Sequence, residues 1–210
     1  MARHTAPRLR GGTATRFVAL FTGLFVFAIG IVCLYESKLG LSPWDVLNQG
    51  VAKHTPLSFG EANICVGVTV LVLGLLLGAR IGFGTVSNAV FVGTFVDQLL
   101  RIDWVTDRAH DPVAVRIVLI AIGIVLMGIA TALYVGASFG AGPRDSLMLV
   151  LSLRTHARIG LVRGVLEAVP LVVGFLLGGK VGIGTLVYVV AIGPVVEASF
   201  ALFDRSPVTL

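Results

Sequence analysis

The residues best placed to do chemistry in this chain come in pairs one hundred positions apart. Gly40-Leu41-Ser42-Pro43-Trp44-Asp45 is matched by Gly140-Ala141-Gly142-Pro143-Arg144-Asp145. Glycine ahead of proline breaks an incoming helix. Proline then suits the first turn of the next one, where its missing N–H costs nothing. Ser42 reads as an N-cap with Asp45 at N3, in the manner of a capping box. Such a helix start presents free N–H groups and a positive dipole end, which can hold an anion, while unwound carbonyls nearby can hold a cation. Asp45 and Asp145 therefore have two compatible readings, as caps of their own helices or as lining of a solute path. Trp44 reads either as an interfacial anchor or as part of that path.

A second pair is Arg80-Ile81-Gly82-Phe83-Gly84-Thr85 and Lys180-Val181-Gly182-Ile183-Gly184-Thr185. It joins two helices with almost no loop: a tight hairpin turn whose basic residue snorkels to headgroups and whose glycines allow close helix approach. Its spacing is not that of a phosphate-binding loop. A third pair, Asp97 and Glu197, lies about a turn from a membrane boundary, and Glu167 lies inside an apolar run with Pro170 beyond it. These three acids are candidates for ion coupling, since an ionisable group inside a membrane suggests function by default. Asp97 and Glu197 read also as interfacial groups solvated by water or headgroups or as a structural pair, and Glu167 with Arg163 as packing glue or part of a gate in a kinked helix. Arg163 is a plausible i,i+4 partner of Glu167, and Asn88 and Tyr188 lie at matching depths.

The remaining chemistry is sparse. The four histidines fall in tails or loops and no Cys/His cluster has metal-ligand spacing, so no metal or cofactor is expected. Cys33 and Cys65 read as small buried hydrophobes. His-Glu-x-x-His, paired Ser/His and cysteine-nucleophile patterns are missing, so an enzyme is not expected. Basic residues spread over many loops also argue against nucleic-acid binding.

The elements that position these residues follow from composition and repetition. Residues 40–100 align with 140–200 without a gap, and 18 positions are identical. The chain is 56% hydrophobic and 13% charged, with a mean hydropathy of +0.98. A soluble domain carries about 25% charge, so most of this chain cannot face water. Apolar runs at 17–35, 62–79, 81–96, 117–142, 164–179 and 181–196 read as six spans, three per repeat. Membrane strands would alternate apolar and polar residues, and these runs do not. The stretches 46–52 and 146–153 are too short to span and read as half-helices or re-entrant segments. The expected fold is an all-α integral membrane protein, six transmembrane helices in a 3+3 inverted repeat, each repeat with such a short segment after its first helix.

The expected organisation is a disordered basic tail (1–15), a first repeat (16–101), a connecting loop (102–116), a second repeat (117–203) and a short tail (204–210). The first apolar run is longer than a signal-peptide core and reads as an uncleaved span. With both termini cytoplasmic, 10 basic residues lie inside against 6 outside. The equivalent segments 36–61 and 144–163 carry net charges of −1 and +3. Opposite bias in equivalent segments is what inversion of the second copy requires.

The G-x-x-P-W-D motif, the [RK]-x-G-x-G-T turn and the duplicated layout resemble the YczE-like branch of the YitT/YczE bacterial membrane proteins, over residues 17–203. That resemblance implies a plasma-membrane protein of six or so helices and brings no established catalytic residue. The functional expectation is a small-solute transporter, exporters included, working by alternating access. The alternative is a non-transporting scaffold or assembly factor. The expected partners are the lipid bilayer and an unidentified small solute, and a homodimer is reasonable for so small and glycine-rich a chain.

Overall fold

The computed structural model describes residues 12–102, 105, 111–157 and 159–204, apart from the side chains at 159, 160 and 204. Arg3, Arg8, Arg10, Arg108, Arg158 and Arg205 lie outside the described residues, as do most of the expected N-terminal tail and much of the 102–116 connector.

The described residues form eight helices: α1 (Thr13–Ser37), α2 (Pro43–His54), α3 (Phe59–Leu76), α4 (Phe83–Leu100), α5 (Val113–Gly136), α6 (Pro143–Thr155), α7 (Ile159–Leu176) and α8 (Ile183–Asp204). Each half therefore runs long, short, and then two more. The short segments are complete helices, α2 and α6, starting at Pro43 and Pro143 as the motif requires. Ser42 caps α2, accepting the Asp45 N–H at 3.3 Å. A reciprocal capping box between Ser58 and Glu61 starts α3. Helices α3 and α7 both end by Schellman-type bonds, Ala79 N–H to Gly74 O at 2.8 Å and Gly179 N–H to Gly174 O at 2.7 Å. Three expected boundaries fall inside helices, the slightest being that of the C-terminal tail, since α8 runs to Asp204. Helix α1 begins at Thr13, inside the expected tail, and α5 begins at Val113, inside the expected connector.

Helices α1 and α5 pack side by side and antiparallel. Gly23 faces Ala130–Tyr134, and Gly30 faces Gly123 and Met127, so small residues let the two backbones approach. Each helix's basic residue closes the far end of the other. Arg16 donates to the carbonyls of Ala137 (2.8 Å) and Ser138 (3.1 Å), and Arg116 donates to that of Ser37 (2.7 Å). Those carbonyls have no intrahelical partner, and a cation there complements the helix dipole. Around this pair α4 packs on α1, through Phe21–Phe91 and Phe25–Phe95 edge contacts, and α8 packs on α5. Helix α2 lies against α7, and α6 against α3. Each of these contacts maps onto its partner when the halves are exchanged.

The core between α1 and α5 is built from Leu20, Leu24, Ile31, Ile120, Ile124 and Met127. The outer surface is as apolar as the core: Leu76, Leu153, Leu176 and Val190 are 75–77% exposed, a pattern for lipid rather than water. Among the described residues, four helices are long and apolar enough to cross a bilayer, over Thr13–Ser37, Phe59–Leu76, Val113–Gly136 and Ile183–Phe203. The other two expected spans are α4 and α7, helices of 18 residues that carry Asp97, and Arg163 with Glu167, respectively.

Candidate functional site: a polar cavity where the two half-helices meet

The chain breaks before α2 and α6 are held by the opposite half. At Gly40, φ is +137°, and at Gly140 it is +121°, a conformation open to glycine. Space makes the same demand. A Cβ at Gly40 would lie 2.7 Å from Thr185 N and Oγ1, and one at Gly140 would lie 2.7 Å from Thr85 Oγ1. Gly84 N–H donates to Phe139 O at 2.8 Å, and Gly184 N–H donates to Leu39 O at 3.0 Å. The Thr85 hydroxyl donates to Ala141 O at 2.6 Å and accepts from Gly82 N–H at 3.2 Å. Thr185 accepts from Gly182 N–H at 3.3 Å. The basic-x-Gly-x-Gly-Thr segments are thus more than hairpin turns. Each docks on the G-x-x-P-x-D break of the other repeat and satisfies its unwound backbone, as membrane depth requires. Arg80 and Lys180 point outward and are exposed.

This docking brings the two half-helix starts together. The Arg144 guanidinium stacks on the Trp44 ring, 4.6 Å from its centroid, so the two equivalent positions touch each other. The aromatic is not shared by both copies because one copy supplies the ring and the other the cation.

The two aspartates have different surroundings. Asp45 is 1% exposed and tied down: it accepts from the Ser42 hydroxyl and from Asn48 Nδ2 at 3.2 Å. Its counterpart Asp145 has Gly142 in place of Ser42 and Met148 in place of Asn48. Released from both, Asp145 lines a cavity of about 320 Å³. All eight helices contribute to its wall, among them Phe27, Trp44, Asn63, Asn88, Thr131, Tyr134, Arg144, Asp145, Arg163, Glu167, Tyr188 and Phe200. Arg144 acts electrostatically on Asp45, Asp145 and Glu167, and Arg163 on Asp145 and Glu167. Three carboxylates face two guanidiniums, so with all ionised the cluster has an excess negative charge. A proton or a cationic group from a solute can offset it.

Of the expected site residues, Trp44, Gly142, Pro143, Arg144, Asp145 and Glu167 line the cavity. Gly40, Ser42, Pro43, Asp45 and Gly140 form the scaffold behind it. Asp97 lies elsewhere, accepting from the Ser58 hydroxyl and from Gly60 N–H at 2.8 Å, and Glu197 is exposed on α8. Tyr134, Thr131 and Asn63 were missed. Their signal was a polar side chain inside an apolar run, Asn63 within 62–79 and Thr131 with Tyr134 within 117–142.

An all-helical chain with a lipid-like exterior and a charged interior cavity is an integral membrane protein. The family of unknown function DUF6198 matches residues 14–200, and the chain belongs to that family. It is 36% identical over 190 residues to an uncharacterized protein of Haemophilus influenzae, covering 90% of this chain and 84% of the other. It is 31% identical to the uncharacterized membrane protein YczE of Bacillus subtilis over 186 residues, 88% of this chain and 85% of the relative. With YyaS of the same organism it shares 28% over 185 residues, 87% and 91% of the two chains. The YczE-like resemblance of the motifs therefore holds across the chain. No solved structure matches it.

Proposed function

We propose that this protein moves a small charged solute across a bacterial plasma membrane by alternating access, its two inverted repeats rocking around the central cavity. In this arrangement α4 and α7 also cross the membrane, and both termini are cytoplasmic. The observation that carries the reading is the cavity itself. A chamber of about 320 Å³ lies where the half-helices meet and holds arginines and carboxylates that a purely structural core would exclude. Antiparallel α1 and α5, contacts that exchange with the halves, and the opposite charge bias of 36–61 and 144–163 support the inversion. A scaffold would display its motifs on the lipid face, whereas here they converge inward. The reading involves no bond breaking in the solute, hence no enzyme. One chain supplies every wall, so it requires no second copy.

Among the three expected coupling acids, Glu167 is the one in contact with the cavity and is the proton-coupling group in this scheme. The test begins with purified protein and a panel of amino acids, amines and small organic acids, scored by thermal stabilisation. Counterflow of the hits in proteoliposomes follows. Asp45→Asn with Asp145→Asn should abolish flux while the protein stays folded and inserted, and unchanged flux in that variant would overturn the site assignment.

A further inference from the structure

Both halves place two glycines and an acid at one junction, Gly60, Gly93 and Asp97 against Gly160, Gly193 and Glu197, and the junction differs in structure. In the first half, α3 and α4 are zipped together at Gly60 and Gly93. A Cβ added at Gly93 would lie 2.6 Å from Ile64 Cγ1, and one added at Gly60 would meet the Asp97 carboxyl at 2.5 Å. Asp97 closes the junction by accepting from the Ser58 hydroxyl and the Gly60 N–H, which caps the start of α3.

In the second half, Gly193 and Glu197 hold the equivalent places on α8, and Gly164 the place of Ile64 on α7. A Cβ at Gly193 or at Gly164 would meet nothing within 4 Å. Ala89 and Gly93 are buried, whereas Val189 and Gly193 are exposed. Among the described residues, α7 and α8 do not pack on each other as α3 and α4 do. The cavity reaches Arg163 on α7 and Val196 and Phe200 on α8, which border this gap.

We infer that α3–α4 and α7–α8 are the two gates of the cavity, with Asp97 and Glu197 as their latches, and that the structure is the state with the first gate shut and the second open. In the opposite state α8 closes on α7 at Gly193, with Glu197 over the start of α7, while Asp97 leaves the start of α3. Asp97 and Glu197 are then positioning residues that carry no ion. This inference rests on the alternating-access reading, and it assigns conformations that can be measured without any solute.

The experiment uses the full chain in native membrane vesicles of both orientations, with Cys33 and Cys65 replaced by alanine. A reporter Thr131→Cys on the cavity wall is labelled with a membrane-impermeant maleimide. Labelling should be fast from the face at the start of α7 and at least about tenfold slower from the face at the start of α3. Asp97→Ala should raise labelling from the second face about tenfold or more, the scale expected when two charge-assisted hydrogen bonds are lost. Equal labelling from both faces without Asp97→Ala, or no change with it, would overturn the inference.

A second measurement keeps the test open if Asp97→Ala fails to fold. The pair Gly164→Cys and Gly193→Cys sits in open space and should be tolerated, and the closed state would bring the two within disulfide reach. Oxidation should protect both thiols from a PEG-maleimide. Full reactivity after oxidation would mean that α7 and α8 never meet. If the gates behave as stated and no solute moves, the transport reading fails and this one stands.

Discussion

The docking of each chain break on the opposite half can be weighed by a pair of equivalent substitutions. Thr85 and Thr185 are both buried, at 0% and 1% exposure, so valine replaces either without opening a void. Thr85→Val removes a donor to Ala141 O at 2.6 Å and an acceptor of Gly82 N–H at 3.2 Å. Thr185→Val removes only an acceptor of Gly182 N–H, at 3.3 Å. Polar contacts inside membranes average about 0.6 kcal/mol, and a buried group left without a partner costs about 1–3 kcal/mol. Thr85→Val should therefore destabilise by about 1–3 kcal/mol and Thr185→Val by roughly half as much. Reversible unfolding in mixed micelles, with SDS as denaturant and tryptophan fluorescence as probe, measures both. Equal losses, or a loss below about 0.3 kcal/mol for Thr85→Val, would refute the view that this hydroxyl holds the break, since even one average contact is about 0.6 kcal/mol.

Three further outcomes follow from the same geometry. Gly40→Ala and Gly140→Ala combine positive φ with a collision, on the Thr185 amide and hydroxyl in the first case and on the Thr85 hydroxyl in the second, and should abolish folded protein in a fluorescence-detected size-exclusion assay, whereas Gly164→Ala should elute as wild type. A double-mutant cycle on Trp44→Leu and Arg144→Gln should give a coupling of about 0.5–2 kcal/mol in the same unfolding assay, the range for a partly desolvated cation over an indole. Asp45→Asn should lower thermal stability more than Asp145→Asn, because only Asp45 is tied by Ser42 and Asn48, while Asp145→Asn should abolish solute-induced stabilisation.

Much of the fold was legible because its causes are local. Proline after glycine ends one helix and begins another wherever it occurs, so α2 and α6 could be placed from the motif alone, as could the Ser42 cap. Apolar runs marked the long helices for the same reason. What escaped the sequence depends on the meeting of distant segments. Nothing local at Thr85 says that its acceptor is a carbonyl of residue 141. The clue was an identical hydroxyl in both copies within an apolar run, where it must find a partner. Arg16 and Arg116 are also one hundred residues apart, but they lie upstream of the gapless alignment, so their reciprocal capping went unread. Arg144 in place of a tryptophan looked like a departure from the repeat, and only contact across the halves reveals it as complementarity. Asp97 and Glu197 look alike in sequence and differ in structure, because Asp97 meets the start of α3 while α7 and α8 stand apart and leave Glu197 exposed, a long-range difference that neither residue carries by itself.

The reciprocal hydrogen bonds at residues 39, 84, 139 and 184 have a consequence for how the polypeptide is made. A nascent first half inserted in the bilayer has an unwound segment at 39–41 whose mate is residue 184 and a Gly84 amide whose mate is residue 139, both supplied only by the second half. Neither half satisfies its own backbone at this point, and the early product must wait, its polar groups sheltered by water, lipid headgroups or an insertase, until the second half arrives to complete it.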